Sequence, residues 1–297
     1  MAESATPVDV LNPGQVFACL GIVEAVEVLL GHGAGVFDWA NGRFRVTASG
    51  PEAPVARVLQ FLVEAELVTR APARTAHVRR WKKGWGAVPE LDHPGRPFPY
   101  PDPPSPATLP VVLRNAEHAE IAVDYWGDAT NRDNVKFWAG AAGYPGAALL
   151  RDAQDLIREG IRTHGWRRLL TDPFGLPAAQ TSSFRFDWRR DYLPVEAGFS
   201  PNAHKRISMV GYPVVEMLAA IGVSHARPRR STKLEYRYGI LGGFEPLDVV
   251  FLRAALGAAT PPLPGIPFRR FVMRLGWPGR ENQARCIAQV AEVSPDD

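Results

Sequence analysis

Cysteine is scarce in this chain: 297 residues carry two, Cys19 and Cys286. Two isolated cysteines exclude a disulfide framework and a thiolate zinc site. Cys19 lies inside an apolar run and reads as a small buried hydrophobe. The seven histidines show no H-x-x-x-H spacing, so neither a metal nor a cofactor is expected. Long hydrophobic runs are missing too. The stretch from Val16 to Leu30 contains Glu24 and Glu27 and falls short of the roughly 20 residues a membrane span needs. Met1-Ala2-Glu3-Ser4 has no basic segment and opens no signal-peptide core. A soluble, cytoplasmic protein with no membrane partner is expected. Catalytic signatures are lacking as well: there is no G-x-S-x-G elbow, Walker A loop or H-E-x-x-H helix. The glycine-rich runs Gly31 to Gly35 and Gly239 to Gly243 are not followed by Lys-Ser or Lys-Thr. No repeat of fixed period is found.

What is present is organised around Asn12-Pro13-Gly14-Gln15, which opens an apolar helix running to about Gly31. Asn12 is expected as N-cap, Pro13 as the first helical residue, and Gln15 as the partner that closes a capping box. The run is apolar on nearly every side, so the helix is expected to be surrounded by protein. Its glutamates then need partners or a groove. A similar helix follows Tyr212-Pro213, with Glu216 in its first turn and Gly222 expected as its stop. Asn41-Gly42 between two short strands predicts a hairpin with a type I′ turn. Pro54 to Glu66 and Ala147 to Ile161 have the spacing of amphipathic helices. Strands are expected at Val111–Arg114, Ile121–Trp126, Ser182–Trp188, Glu235–Leu241, Phe268–Leu275 and Arg285–Val293. In Ser182–Trp188, Phe184 and Phe186 take one face, Arg185 and Asp187 the other. Leu247 to Leu256 reads as either, with helix favoured. The fold class is α+β, with buried helices packed on antiparallel sheets. Two lobes are expected: residues 1–88 and 111–297, joined by a proline-dense linker or arm at 89–110.

The net charge is only +3, but the 34 basic residues are unevenly distributed. They gather at Arg70 to Lys83, Arg162 to Arg168, Arg185 to Arg190, Lys205-Arg206, Arg227 to Arg237 and Arg269 to Arg285. A basic stripe on a nearly neutral protein suits a polyanion at one face, although cations at element ends are often simply solvated. The segment Arg79-Arg80-Trp81-Lys82-Lys83 adds an aromatic face and flanking glycine to its cations. That is the composition of a nucleic-acid-binding loop, and equally of an exposed basic strand with one buried tryptophan. Asn131 and Lys136, beside Trp138, offer a second candidate contact; alternatively Trp138 plugs the core and Lys136 pairs with Asp124 or Asp128. Arg229, Arg230 and Lys233 form a compact basic turn.

The two Pro-opened helices occur in order with Asp124-Tyr125-Trp126, Lys136-Phe137-Trp138-Ala139-Gly140 and Thr181-Ser182-Ser183-Phe184-Arg185-Phe186-Asp187. In that order they resemble a small family of CRISPR-associated proteins from type I-U gene clusters, also called I-G. The resemblance covers roughly residues 8 to 240 without the proline-dense middle. It rests on the order of motifs, each weak alone. It implies a subunit of an RNA-guided Cascade-type surveillance complex, in the large-subunit role, with recognition of the duplex next to the target and help in strand separation. It implies no set of catalytic residues. Guide RNA, target DNA and other complex subunits would be the partners.

The leading expectation is a non-catalytic nucleic-acid-binding subunit that uses Arg79, Arg80, Trp81, Lys82, Lys83, Asn131, Lys136, Arg229, Arg230 and Lys233. One alternative is a structural adaptor that docks on neighbouring subunits. Another is a metal-dependent nuclease built on Glu24, Asp124, Asp187 and Glu216. Against the nuclease stands the plainer expectation that Glu24 and Glu216 pair with arginines in the core.

Overall fold

The computed structural model describes residues 1–75, 89–99, 109–126, 146–180, 183–189, 209–276 and 285–294. The chain opens with β1 (Ala2–Pro7), α1 (Pro13–Leu30), β2 (Ala34–Asp38), β3 (Arg43–Ala48), α2 (Pro54–Glu64) and β4 (Glu66–Ala71). β5 (Glu90–Leu91), β6 (Val111–Arg114) and β7 (Glu120–Val123) precede α3 (Gly146–His164) and α4 (Trp166–Thr171). Next come β8 (Ala178–Ala179), β9 (Val210–Gly211) and α5 (Pro213–His225). β10 (Arg229–Thr232), β11 (Glu235–Leu241), β12 (Leu247–Asp248), α6 (Val249–Leu256), β13 (Phe268–Gly276) and β14 (Cys286–Val293) complete the order. The fold is α+β. Among the described residues the strands form sheets ordered β1-β3-β2-β12, β5-β4-β6-β7 and β10-β11-β13-β14, plus the pair β8-β9.

The two Pro-opened helices lie against each other at the centre. A Cβ on Gly21 of α1 would stand 1.9 Å from the Leu218 carbonyl oxygen, and one on Gly222 of α5 would stand 2.1 Å from that of Phe17. Each helix therefore presents bare backbone to the other, and any larger residue would force them apart. Gly222 is thus inside α5 and is not its stop; it is small because α1 occupies the space a side chain would need. Both helices are buried on nearly all sides. Of the described helices only α1 has the length and apolar composition of a membrane span, because the helix starts at Pro13 and reaches 18 residues. It is 78% buried within the chain, against α5, α2 and the sheets.

The expected capping box does not form. Asn12 turns its side chain away from α1, and Nδ2 donates to Asp187 Oδ1 (2.9 Å). Gln15 Oε1 instead accepts from the Asp9 N–H (2.7 Å). The hairpin at Asn41-Gly42 exists, but its loop has four residues, 39–42, between the paired Asp38 and Arg43. Gly42 takes the positive φ (61°) and Asn41 does not, so the turn is not type I′. β1 pairs along its whole length with β3. Residues 183–187 form no helix and join no sheet among the described residues. Phe184 and Phe186 are buried as their alternation requires, yet Asp187 is buried too, and Arg185 bends the chain at φ 66°. The segment lies so close to α1 that a Cβ on Gly14 would meet the Phe186 carbonyl oxygen at 2.5 Å.

The described part of the proline-dense segment is tied to the sheet. β5 pairs in parallel with β4, and Arg114 makes a bidentate pair with Glu90 (2.7 and 3.0 Å). Residues before and after 89–110 share one hydrophobic core. A chain of aromatic rings crosses it: Trp126 stacks on Phe184 (5.7 Å), Tyr125 meets Phe186, Phe186 meets Phe17, and Phe17 meets Tyr238. Tyr238 stacks on Phe271 (5.0 Å), and its hydroxyl donates to the Val10 carbonyl. The aromatic chain thereby reaches the sheet that carries the basic face.

Candidate nucleic-acid interface

The sheet β10-β11-β13-β14 has one face on the core and one turned outward. Tyr236, Tyr238 and Ile240 of β11 and Phe271, Met273 and Leu275 of β13 are buried. Alternation then sends Glu235, Arg237, Arg270 and Arg274 to the outer face. Register does the rest. Arg229 of β10 lies directly opposite Arg237 of β11, and Arg270 lies opposite Gly239 two residues on. Like charges directly opposite in an antiparallel pair destabilise the sheet. Folding alone gives no reason to put two arginines there.

Arg229, Arg230, Arg237 and Arg270 line a cleft of about 270 Å³ with Ser231, Tyr238, Ala258 and Ala259. Its far wall is the chain just after α6. A second, wider recess of about 530 Å³ runs alongside, lined by Ser224 to Arg230. The two share Arg229 and Arg230, and among the described residues no carboxylate lines either one. Arg270 is held by neutral acceptors, the carbonyls of Ala259 (2.8 Å) and Ser294 (2.7 Å). Arg230 Nε donates to the Thr232 carbonyl (3.2 Å). Arg229 is exposed and has no ion-pair partner among the described residues. Glu235 on the flank is shared between Arg274 (3.4 Å) and Arg237 (3.9 Å). The result is an open, concave, arginine-rich surface suited to phosphate oxygens.

Several other charges are matched. Arg269, next to Arg270 but on the other face, makes a bidentate pair with Glu292 and lies over Trp39 and Phe271. That contact raises the Arg269 guanidinium above its ordinary value and lowers the Glu292 carboxyl. Buried Glu24 accepts from Nε and Nη2 along one edge of the Arg253 guanidinium, with His225 Nδ1 at 3.4 Å. Buried Asp187 accepts from Arg189, whose guanidinium stands 3.4 Å from the centre of the Tyr212 ring, and from Asn12. The Asp187 N–H donates to Glu216 Oε1 (3.2 Å).

Three of the four carboxylates weighed for a nuclease therefore fall into two separate groups. Glu24 sits with Arg253 at α6, while Asp187 and Glu216 belong to the network around Arg189. Among the described residues no three His, Cys, Asp or Glu side chains converge.

Of the expected binding residues, the structure brings Arg229 and Arg230 together in the cleft. Lys233 is exposed at the tip of the β10–β11 hairpin, outside the cleft lining, and its carbonyl accepts from Arg285. Arg79, Arg80, Trp81, Lys82, Lys83, Asn131 and Lys136 lie outside the described residues. Arg237 and Arg270 were visible only as members of basic clusters. Strand alternation put them on an outer face, but nothing in the sequence set the register that joins them to Arg229.

No protein-family model, curated protein or solved structure matches this chain.

Proposed function

We propose that this chain is a non-catalytic, cytoplasmic nucleic-acid-binding subunit of an RNA-guided CRISPR effector assembly of the Cascade type. The observation that carries the nucleic-acid part is the arginine cleft, where register sets Arg229 opposite Arg237 and two backbone carbonyls hold Arg270 beside them. Phosphate contacts supply most of the sequence-independent affinity of such proteins. The assembly part rests on the order of motifs along the chain. In that setting guide RNA or target DNA occupies the cleft, and the 79–83 and 131–136 clusters supply further contacts. The test is an electrophoretic titration of the co-expressed assembly, with and without this chain, against guide RNA and matching duplex at two salt concentrations. Salt-sensitive duplex binding that disappears when the chain is omitted supports the reading. Unchanged duplex binding contradicts target engagement.

An adaptor role is the second reading, and Phe244 favours it. Its ring is 91% exposed on a loop pinned by Arg45, which donates to the Phe244 carbonyl (2.7 Å), and by Trp39 against Gly242. A rigid, exposed phenylalanine suits a protein contact. Charge reversal at Lys82 and Lys83 separates the two: it weakens nucleic-acid binding for the proposed subunit and leaves it intact for an adaptor.

A further inference from the structure

The two edges of the β10-β11-β13-β14 sheet are finished differently. An edge strand offers unpaired N–H and C=O groups to any strand that can reach them, and folded chains usually blunt it. The β10 edge is blunted: it has four residues, a register shift between Arg230 and Thr232, and two consecutive arginines. β14 is eight residues long and carries neither lysine nor proline. Its bulge falls at Ala288, where Arg274 faces Gln289 and Leu275 faces Ile287, so residues 289–293 run in regular register with β13. We infer that this stretch of β14 pairs antiparallel with the same stretch of a second copy of the chain, joining two four-stranded sheets into one. The inference goes beyond nucleic-acid binding and does not depend on it.

The backbone is available. Among the described residues, the peptide groups of 289–293 pair with β13 and with nothing else. The side chains leave the edge clear. Gln289 accepts from Arg274 (3.3 Å) and Glu292 from Arg269 (2.7 Å), both on β13, so the two polar groups are drawn back onto their own chain. What remains along the edge is Val290, Ala291 and Val293, all half-buried. The register is self-complementary. Full overlap of 289–293 puts the two-fold axis at Ala291, so that Ala291 meets its own copy, Val290 meets Glu292, and Gln289 meets Val293. The single charge of the stretch then faces valine. An axis one residue on, at Glu292, would set carboxylate against carboxylate and oppose the contact. Directly opposite residues share a face, so the pair carries both outer faces, with their arginine clefts, on one side. A two-fold pairing closes both β14 edges at once, and the blunted β10 edges keep it from extending into a fibre.

Sedimentation velocity on the full chain, from about 5 to about 500 µM, measures the pairing. A short edge buries less than a standard interface, so dimers are expected with a dissociation constant in roughly the tens of micromolar. Ala291→Glu sets two carboxylates opposite each other across the axis, while within one copy the new side chain lies diagonal to Arg270 and Arg274 on the same face. It should weaken the dimer about fivefold, and less at high salt, with the melting temperature of the dilute chain unchanged. Cysteine reads the register. Ala291→Cys should form an intermolecular disulfide with oxidised glutathione, because directly opposite Cβ atoms stand about 5 Å apart. Gln289→Cys would lie about 14 Å from its own copy and should not. Nor should the unmodified chain, whose Cys286 would lie about 34 Å from its own copy. Dimers that Ala291→Glu leaves intact, or crosslinking by Gln289→Cys as fast as by Ala291→Cys, would overturn the pairing. A chain that stays monomeric at the highest concentration would overturn it too, and would leave the edge to a strand of another protein. None of these results bears on the arginine cleft, so the nucleic-acid reading would survive them.

Discussion

The α1–α5 helix pair and the outer face of the β10-β11-β13-β14 sheet treat their residues in opposite ways. At the helix pair every feature answers to packing: two glycines face two carbonyl oxygens, and buried Glu24 is clamped by Arg253. On the outer sheet face Arg229 confronts Arg237 across the strands, and among the described residues no carboxylate lines the cleft they share. Arg269 and Arg270 make the contrast within two consecutive residues. The first is matched by Glu292; the second is held by carbonyls and left charged. A region that folding accounts for completely says little about function. A region that folding would have arranged otherwise is where binding is to be sought.

The largest effect is expected at the helix pair. Gly21→Ala gains about 1 kcal/mol of helix propensity, but its Cβ would sit 1.9 Å from the Leu218 carbonyl oxygen. The steric cost wins, and denaturant unfolding should show a net loss of about 3 kcal/mol. Gly222→Ala should behave alike, since the contact is reciprocal. If either variant kept full stability, the helices would not be in backbone contact and the comparison would fail on this side.

Next is the buried ion pair. Arg253→Ala leaves the Glu24 carboxylate buried beside His225 alone, and a loss of about 3 kcal/mol is expected in the same measurement. A third effect concerns acid. Arg114 and Arg269 hold the carboxyls of Glu90 and Glu292 below the ordinary value of 4.5. The folded chain thus keeps these groups ionised where the unfolded chain binds protons. Their contribution is complete above that value and is lost as pH falls through the lowered folded values. Both carboxylates are partly solvent-exposed, so the loss should be small and weaken with salt; thermal melts from pH 6 down to 3 check it. Added salt that failed to flatten the acid limb would argue against these pairs as its cause.

The smallest effect on stability is the most informative. Arg229→Gln removes one of two opposed cations and should leave stability unchanged or raise it by about 0.5 kcal/mol. A residue whose loss helps folding and harms binding is kept for binding.

Much of this was legible in the residues. Apolar content on all sides gave away both central helices, and alternation gave away β11, β13 and β14. What could not be read were the partners across space. Asn12 and Gln15 have the spacing of a capping box, yet Asp187 and Asp9 outcompete the helix end for their side chains. Gly222 looked like a stop because glycine often is one, and only the approach of α1 shows its other use. Arg229 and Arg230 stood out as a basic turn. Arg237 and Arg270 did not, because strand register is a relation between segments and leaves no mark in either alone.

The account is tested most directly by the melting temperature of Arg229→Gln beside the unmodified chain, each alone and with saturating single-stranded 12-mer. A ligand that binds the folded state raises the melting temperature by mass action. The account predicts that the variant melts at the same temperature or higher on its own and gains less from the strand. A variant that melts lower alone and gains as much from the strand would contradict it, and would make Arg229 a structural residue.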